Sequence, residues 1–413
     1  MIEPADELLR RFRSLPAAGP LLGAIADRAA ANADRAAVYL VGGAVRDLIL
    51  GGDSPPDLDL LVDGDPSELV AQLDATGRTY ERFGTQTFEL GGFRYDLART
   101  RSETYARPGA LPTIAPADLA HDLERRDFAV NAAALGLTGR AAGTLTAVDA
   151  ALPDIRARRL RVLHDASFVE DPTRLLRLAR YASRLAFSIE PHTLGLAEAA
   201  IAQAALRTVT SARQGAELRL LVREPDPVAA MAQLRELGLD AALHECFGLA
   251  DPPLARTALT LLPPDGSRGG VVLAAASMDL PGPELGRWLD ELAFAAGERD
   301  AIVAAAGGAR RLAGTLARAV RPSAIAAAVG RGGPELVALA GALGPVHAAR
   351  DWLEALRDVR LQIGGEDLLR AGVTPGPAVG AGLRAALAAR LDGRAGDRES
   401  QLRAALAAAA DSG

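Results

Sequence analysis

The stretch that most constrains this chain is Val38 to Val62, VYLVGGAVRDLILGGDSPPDLDLLV. Val38 to Val41 is a short β-branched and aromatic run that stops at Gly42-Gly43, and Val45, Leu48 and Ile49 follow at helical spacing. The pattern predicts a strand, a tight turn and a helix start. Glycines let the backbone approach a ligand closely, and the free amides of a helix's first turn suit a phosphate-bearing anion; Arg46, inside that turn, adds a cation. After a Gly/Pro loop, Asp57-Leu-Asp59-Leu-Leu-Val alternates at period two, which puts both carboxylates on one face of a strand and Leu58 and Leu60 on the other. Two such aspartates form a platform for a divalent metal, because Mg²⁺ takes one or two carboxylates together with substrate phosphates. Each half taken alone has a plainer reading, a turn and a solvated edge strand.

Further along, the strand Phe93 to Arg99 carries Asp96 on the face opposite Tyr95 and Leu97. It is either a third carboxylate facing Asp57 and Asp59 or a surface acid paired with Arg94 or Arg99. Thr100 to Pro116 contains Pro and Gly with little periodicity and reads as a loop. In DLERRDFAVNAAA, from Asp122, helical spacing places Asp127 and Asn131 on one face, four residues apart. There Asp127 is suited to accept from a ribose hydroxyl and Arg126 to meet a phosphate, against the alternative of a surface pair. At Glu170-Asp171-Pro172-Thr173-Arg174, Pro172 as a first helical residue makes Asp171 an N-cap. Asp171 and Arg174 are also an acceptor and a donor three residues apart, a pair that fits one edge of a planar base. The helix that follows turns its leucines and alanines inwards, with Arg177, Arg180 and Arg184 partly outwards.

At 413 residues the chain implies about two to four domains. Its balance is acidic, 46 basic residues against 52 acids, which by itself argues against a nucleic-acid partner. Between Arg94 and Arg184, however, 15 arginines face 11 acids, a local basic patch that fits RNA as well as it fits solvated helix faces. The sequence has no lysine, so lysine-based chemistry is excluded. The single cysteine, Cys246, excludes an internal disulfide and a cysteine zinc site; beside Phe247 it reads as a core residue. The start, MIEPADELLRRFR, has no apolar secretory core, and no apolar run approaches membrane-spanning length, so a soluble cytoplasmic protein is expected. Residues 1 to 32 read as one or two helices covering the sheet, Pro66 to Leu73 as a helix, and Thr79 to Phe93 as two strands around Gly91-Gly92. From residue 151 the pattern is helical almost throughout, divided at Glu224 to Pro227, Asp251 to Pro253, Pro263 to Gly270 and Gly330 to Pro334.

VGGAVRD, DLDLLV, DLERRDFAVNA and EDPTRLLRLARYA, in this order and spacing, resemble the bacterial-type (class II) tRNA nucleotidyltransferases and their poly(A) polymerase relatives. The resemblance implies an α+β fold: a polymerase beta-like α/β head (1–150), then an all-α neck (151–220), body (221–340) and tail (341–413). It implies template-independent addition of CMP and AMP to the 3′ end of tRNA, with CTP and ATP as substrates, Mg²⁺ as cofactor and pyrophosphate as product. By the same likeness Gly42, Gly43 and Arg46 hold the triphosphate, Asp57 and Asp59 bind metal, and Asp96 is a third catalytic acid. Arg126, Asp127 and Asn131 meet ribose and phosphates, Asp171 with Arg174 reads the base, and Arg177 and Arg180 complete the nucleotide site. Ser211 to Leu218 resembles the family's neck motif through Arg213 and Glu217, although Ala212 stands where an acid is often found; Ile363 to Gly380 resembles its RNA-binding tail. Arg101 to Pro112 lacks the acid-rich, arginine-rich form of many complete CCA-adding members, which leaves A-adding or CC-adding specialists and poly(A) polymerases as alternatives. His121-Asp122 and His164-Asp165 do not form a separate phosphohydrolase module. A nucleotide-binding regulator without transfer activity would be expected to lose a metal aspartate, and GGAVRD is not the GxGxxG of dinucleotide-binding proteins. The sequence leaves the oligomeric state open.

Overall fold

In the computed structural model, which describes residues 5–29, 37–52, 57–72, 76–80 and 85–411, helices α1 (Ala5–Arg13) and α2 (Ala18–Ala29) precede the constraining stretch. That stretch folds as β1 (Val38–Val41), α3 (Gly43–Ile49) and β2 (Asp57–Val62). There follow α4 (Pro66–Gln72), β3 (Thr76–Tyr80), β4 (Thr85–Leu90), β5 (Phe93–Arg99), β6 (Arg101–Thr104), β7 (Thr113–Pro116), α5 (Leu119–Glu124), β8 (Ala133–Gly136) and β9 (Leu145–Ala147). The described strands form a seven-stranded mixed sheet in the order β3-β4-β5-β2-β1-β8-β9. β2 and β5 run parallel with Leu58 beside Tyr95 and Asp59 beside Asp96, while β1 pairs antiparallel with both β2 and β8. Leu73, residues 30–32 and the end of the Gly/Pro loop before Asp57 lie outside the described residues.

Alternation along these strands decides which face is dry. Leu40, Leu58, Leu60, Phe88, Tyr95 and Leu97 are buried against Leu8, Leu9, Phe12, Leu21, Val45 and Leu48, so α1 and α2 cover this face as expected and α3 packs there with them. Each such side chain contributes about 1.5–3 kcal/mol when fully buried. The Tyr95 hydroxyl donates to the Ala17 carbonyl at 2.6 Å, which satisfies a buried phenol and ties the α1–α2 turn to β5. The other face has a smaller apolar cluster, Val41, Leu61, Leu123, Ala132 and Ala134, and beside it Asp59 is exposed.

Three local expectations in residues 100 to 180 are corrected. Thr100 to Pro116 is a hairpin, β6 with β7, in the register Arg101 to Pro116 and Thr104 to Thr113. It is held by polar contacts, which leave no apolar alternation to read: Arg101 N donates to Asp122 Oδ1 at 3.3 Å, and at its tip Gly109 N donates to the Glu170 carbonyl at 3.1 Å. Gly109 has φ +69°, and a Cβ there would lie 2.6 Å from the Thr208 carbonyl oxygen, so the close approach needs glycine. Asp127 and Asn131 do not share an α-helical face. α5 stops at Glu124, Phe128 bridges Val162, Ala129 N donates to the Arg161 carbonyl at 2.8 Å, and Ala129–Asn131 is one 3₁₀ turn. This main-chain pairing competes with helix continuation. Finally, Arg180 is buried although placed partly outwards: its guanidinium lies 4.6 Å from the centre of the Tyr181 ring, a stacking that shelters the charge.

The contacts divide the chain into two units, Met1–Thr210 and Ser211–Gly413. The first unit thus also contains α6 (Ala151–Ala157), β10 (Arg159–Leu160), α7 (Ser167–Glu170), α8 (Thr173–Leu185), β11 (Ser188–Ile189) and the helix Pro191–Ala202. In the second, the described segments are helical from Ser211–Val222 to Arg398–Ala410, with helices starting at Pro227, Pro252, Arg268 and Pro334, where the Pro/Gly clusters placed the breaks. Asp226, Asp251 and Ser267 cap three of these starts. Cys246 is exposed, contrary to the core assignment, because Phe247 alone takes the inward position against Trp288, ring centres 4.9 Å apart. Gly341 falls inside the helix Pro334–Ala342, and a separate small core of Ile363, Leu368, Ala386 and Ala405 begins beyond it. Among the described residues no helix is long and apolar enough to cross a membrane.

Candidate active site

On the open face of the sheet, the parallel register sets Asp59 of β2 directly beside Asp96 of β5. Thr87 Oγ1 donates to Asp96 Oδ1, and Arg94 Nη2 lies 3.3 Å from Asp96 Oδ2, so Asp96 shares the face of Asp59 and is also paired with Arg94, as the surface alternative had it. Asp57 is two positions before Asp59 on the same strand, opposite Arg94; its side chain lies outside the described residues. The donor set is hard carboxylate oxygen. Among the described residues no three His, Cys, Asp or Glu side chains gather to hold an ion unaided. Carboxylate oxygen suits a hard divalent cation, whose other positions go to water and phosphate oxygens.

Asp59 also borders a cavity of about 350 Å³ whose walls bring most of the sequence-predicted residues together: Gly42, Gly43, Arg126, Asp127, Asn131, Asp171, Arg174 and Arg177. Gly42 sits at φ 71°, ψ −134°, and its N–H donates to the Ala133 carbonyl at 3.1 Å. A Cβ on Gly42 would come within 3.1 Å of Arg126 Nη1, so the turn gives way to that arginine. Arg126 is anchored by Asp122, Nη2 to Oδ2 at 3.0 Å. Arg46 does not reach the cavity wall. It is buried, with Nε on Asp47 Oδ1 at 2.8 Å and Nη1 on Asn131 Oδ1 at 2.7 Å, so it orients Asn131. The Asn131 amide in turn donates to Asp127 Oδ1 at 3.1 Å. Asp127 Oδ2 accepts from Arg177 Nε at 2.9 Å and Nη2 at 2.5 Å. Burial pushes the Asp127 carboxyl up, but the Arg177 charge and the hydrogen bonds from Asn131, Arg177 and the Phe128 amide outweigh it and hold it down at about 2. The result is a fixed anion on the cavity wall, each of its oxygens accepting two hydrogen bonds.

α8 begins at Thr173, one residue later than expected, with Pro172 in the cap position; Asp171, just before it, accepts at Oδ1 from Thr173 N at 3.1 Å and Thr173 Oγ1 at 2.6 Å and so still ties down the helix start. Arg174 is buried; Nη1 donates to Ser167 Oγ at 2.6 Å and Nη2 to the Arg125 carbonyl at 2.8 Å. Arg180 lies behind Tyr181 and off the cavity wall.

The cavity also uses residues the sequence reading passed over: Arg101, Glu103, Tyr105, Pro112, Arg125 and Tyr181. Glu103 is their hub, accepting from Arg125 Nη1 at 2.6 Å, Arg101 Nη2 at 3.2 Å and the Tyr105 hydroxyl at 3.0 Å. Burial and the Glu103 charge push the Tyr105 phenol up, which keeps it a donor. Two signals were available: Glu103 is the lone acid in Thr100 to Pro116, and Arg125 doubles Arg126. A cavity of about 400 Å³ elsewhere in the unit, lined by Leu123, Thr146, Val148 and Val162 among others, holds none of the predicted site residues.

Residues 38–161 match the poly A polymerase head domain family. A CC-adding tRNA nucleotidyltransferase of Deinococcus radiodurans is 36% identical over 377 residues, 89% of this chain and 89% of that protein. An A-adding tRNA nucleotidyltransferase of Geobacter sulfurreducens is 40% identical over 218 residues, 52% of this chain and 25% of that protein. The match therefore spans about a quarter of that relative's length. Among solved structures, an apo CCA-adding enzyme superposes with a TM-score of 0.81 at 26% identity, covering 98% of this chain and 99% of the other. A Thermotoga maritima CCA-adding enzyme complexed with tRNA gives 0.75 at 26% identity, with 98% of each chain covered.

Proposed function

The chain belongs to the tRNA nucleotidyltransferase family, and on that premise we propose that it transfers nucleotides from CTP or ATP to the 3′ end of tRNA in the cytoplasm. The observation that carries the reading is the register of Asp59 beside Asp96 on the sheet face that borders the arginine-rich cavity. Solved relatives of similar fold are complexed with CTP, with ATP and with tRNA, which supports the same substrates here.

In this reading the terminal ribose hydroxyl of tRNA attacks the α-phosphate, a new P–O bond forms, and pyrophosphate leaves with the electron pair of the broken one. Asp96 polarises the attacking hydroxyl and accepts its proton. Asp57 and Asp59 would hold a divalent metal, Mg²⁺ in our reading, which when bound neutralises triphosphate charge and activates the attacking oxygen. The Gly42-Gly43 turn admits the triphosphate close to the backbone, and Arg126 supplies positive charge beside it. Asp127, kept ionised by Arg177 and oriented by the Arg46–Asn131 chain, accepts from the ribose hydroxyls. Asp171 and Arg174 face the base: a carboxylate accepts from the exocyclic amine of C or A, and a guanidinium donates to the adjacent ring nitrogen, whereas U and G present the reverse. We assign the 1–150 head to chemistry, 151–220 to base reading, the body 221–340 to support and the tail to RNA.

A second reading, a specialist that adds only part of CCA, is favoured by the CC-adding relative that matches most of the chain and by the A-adding relatives that match half of it. Purified protein, Mg²⁺ and tRNA transcripts ending before CCA, after its first C or after both, each with CTP or ATP alone, separate the two. Stepwise addition to all three supports full CCA synthesis. Addition of CMP alone or of AMP alone supports the specialist, and no extension of any transcript overturns the function.

A further inference from the structure

Arg174 enters the cavity from α8, yet groups outside that helix decide where its guanidinium lies. Ser167, on α7 and fully buried, accepts from Arg174 Nη1 at 2.6 Å through Oγ. The main-chain carbonyl of the same serine accepts from the Asp171 amide at 3.2 Å. One residue thus touches both members of the acceptor–donor pair, the side chain of one and the backbone of the other. The second guanidinium nitrogen is taken by the Arg125 carbonyl, and Arg125 is itself fastened by Asp122 and Glu103. A guanidinium held at both Nη atoms has its plane fixed, and its remaining N–H groups are aimed before any ligand arrives. A long, rotamer-rich side chain that is locked in this way discriminates sharply, because a mismatched partner cannot be met by reorientation.

We propose that Ser167 is a positioning residue for nucleobase selection, its hydroxyl setting the plane of the Arg174 guanidinium while its carbonyl holds Asp171 in place. This rests on the reading of Asp171 and Arg174 as the base-facing pair. Among the described residues the hydroxyl bonds Arg174 and neither Asp59 nor Asp96, so its loss leaves the chemical step intact and widens the set of bases accepted.

Full-length parent, Ser167→Ala, Ser167→Thr and Arg174→Ala are compared in single-nucleotide addition to a tRNA transcript lacking CCA, with each of the four NTPs, and by thermal unfolding. The expected result for Ser167→Ala is a fall of about tenfold in the preference for CTP over UTP, carried by a higher KM for CTP with little change in kcat. Ser167→Thr, which keeps the hydroxyl, restores the preference, and Arg174→Ala loses at least as much as Ser167→Ala. If Arg174→Ala loses preference while Ser167→Ala keeps it, or if Ser167→Ala slows all four nucleotides equally, the positioning role is overturned and the base-reading pair stands. If Arg174→Ala itself keeps the parent preference, the base-reading assignment fails. Should Ser167→Ala be too unstable to assay, Ser167→Cys fills the same space with a poor acceptor and is read in the same way.

Discussion

At the scale of single residues, Asp127 makes the sharpest claim. Its carboxyl titrates at about 2 in the fold, below the ordinary 3.8, so the stability it brings is fully present above about pH 4 and is lost as pH falls through about 2. The shift corresponds to roughly 2 kcal/mol, since one pKa unit is about 1.4 kcal/mol. Asp127→Asn is therefore expected to unfold more easily than the parent at pH 7, with the gap narrowing in urea titrations towards pH 3; a gap independent of pH would remove the ionised pair from the account. Asp171→Asn separates capping from base reading, because asparagine caps as well as aspartate but turns its amide to a carbonyl. Preference for C and A over U and G is expected to relax by about tenfold to a hundredfold. Unchanged preference in single-nucleotide addition would leave Asp171 as the cap of Thr173 alone. Residue identity at this site was legible where periodicity exposes it: Asp59 and Asp96 alternate with buried Leu58, Leu60, Tyr95 and Leu97. Arg46 was legible as a cation but not as a buried one, because the Asn131 that accepts from it is 85 residues away.

Among elements, the turn before α3 is constrained by its backbone conformation. Gly42 has a backbone geometry that side chains rarely adopt, and an added Cβ meets Arg126. Gly42→Ala is expected to cost about 1–3 kcal/mol and to raise the KM for NTP more than it weakens tRNA binding; equal losses in both would mean general unfolding. The turn and α3 could be read from glycines followed by apolar residues at helical spacing. The β6–β7 hairpin could not, because its strands are held by Glu103, Asp122 and main-chain pairing, with no dry face to impose alternation on the sequence. Asp127 and Asn131 were paired correctly for the wrong reason. Four residues is also the span of the turn and 3₁₀ segment that join them, and the long-range pairing of Phe128 and Ala129 with Val162 and Arg161 tells that segment from a helix.

For the whole molecule, the helical pattern and its Pro/Gly breaks marked where helices begin, while the partition at Thr210 depends on contacts that no local pattern encodes. The small core around Ile363, Leu368, Ala386 and Ala405 suggests where to cut: truncation before Leu361 leaves the helix Pro334–Ala342 whole. That truncation is expected to weaken tRNA binding while NTP binding in the first unit is kept, since arginine–phosphate contacts dominate RNA affinity. Intact tRNA affinity at moderate salt would make the tail structural only. The central claim, carboxylate-dependent nucleotide transfer to tRNA, is tested most directly by single-turnover addition of CMP or AMP to a transcript lacking CCA, with Mg²⁺, by parent and Asp59→Ala. The account predicts 3′ extension by the parent and a loss of well over about tenfold in Asp59→Ala, with tRNA binding retained. Extension by Asp59→Ala within about tenfold of the parent would contradict it.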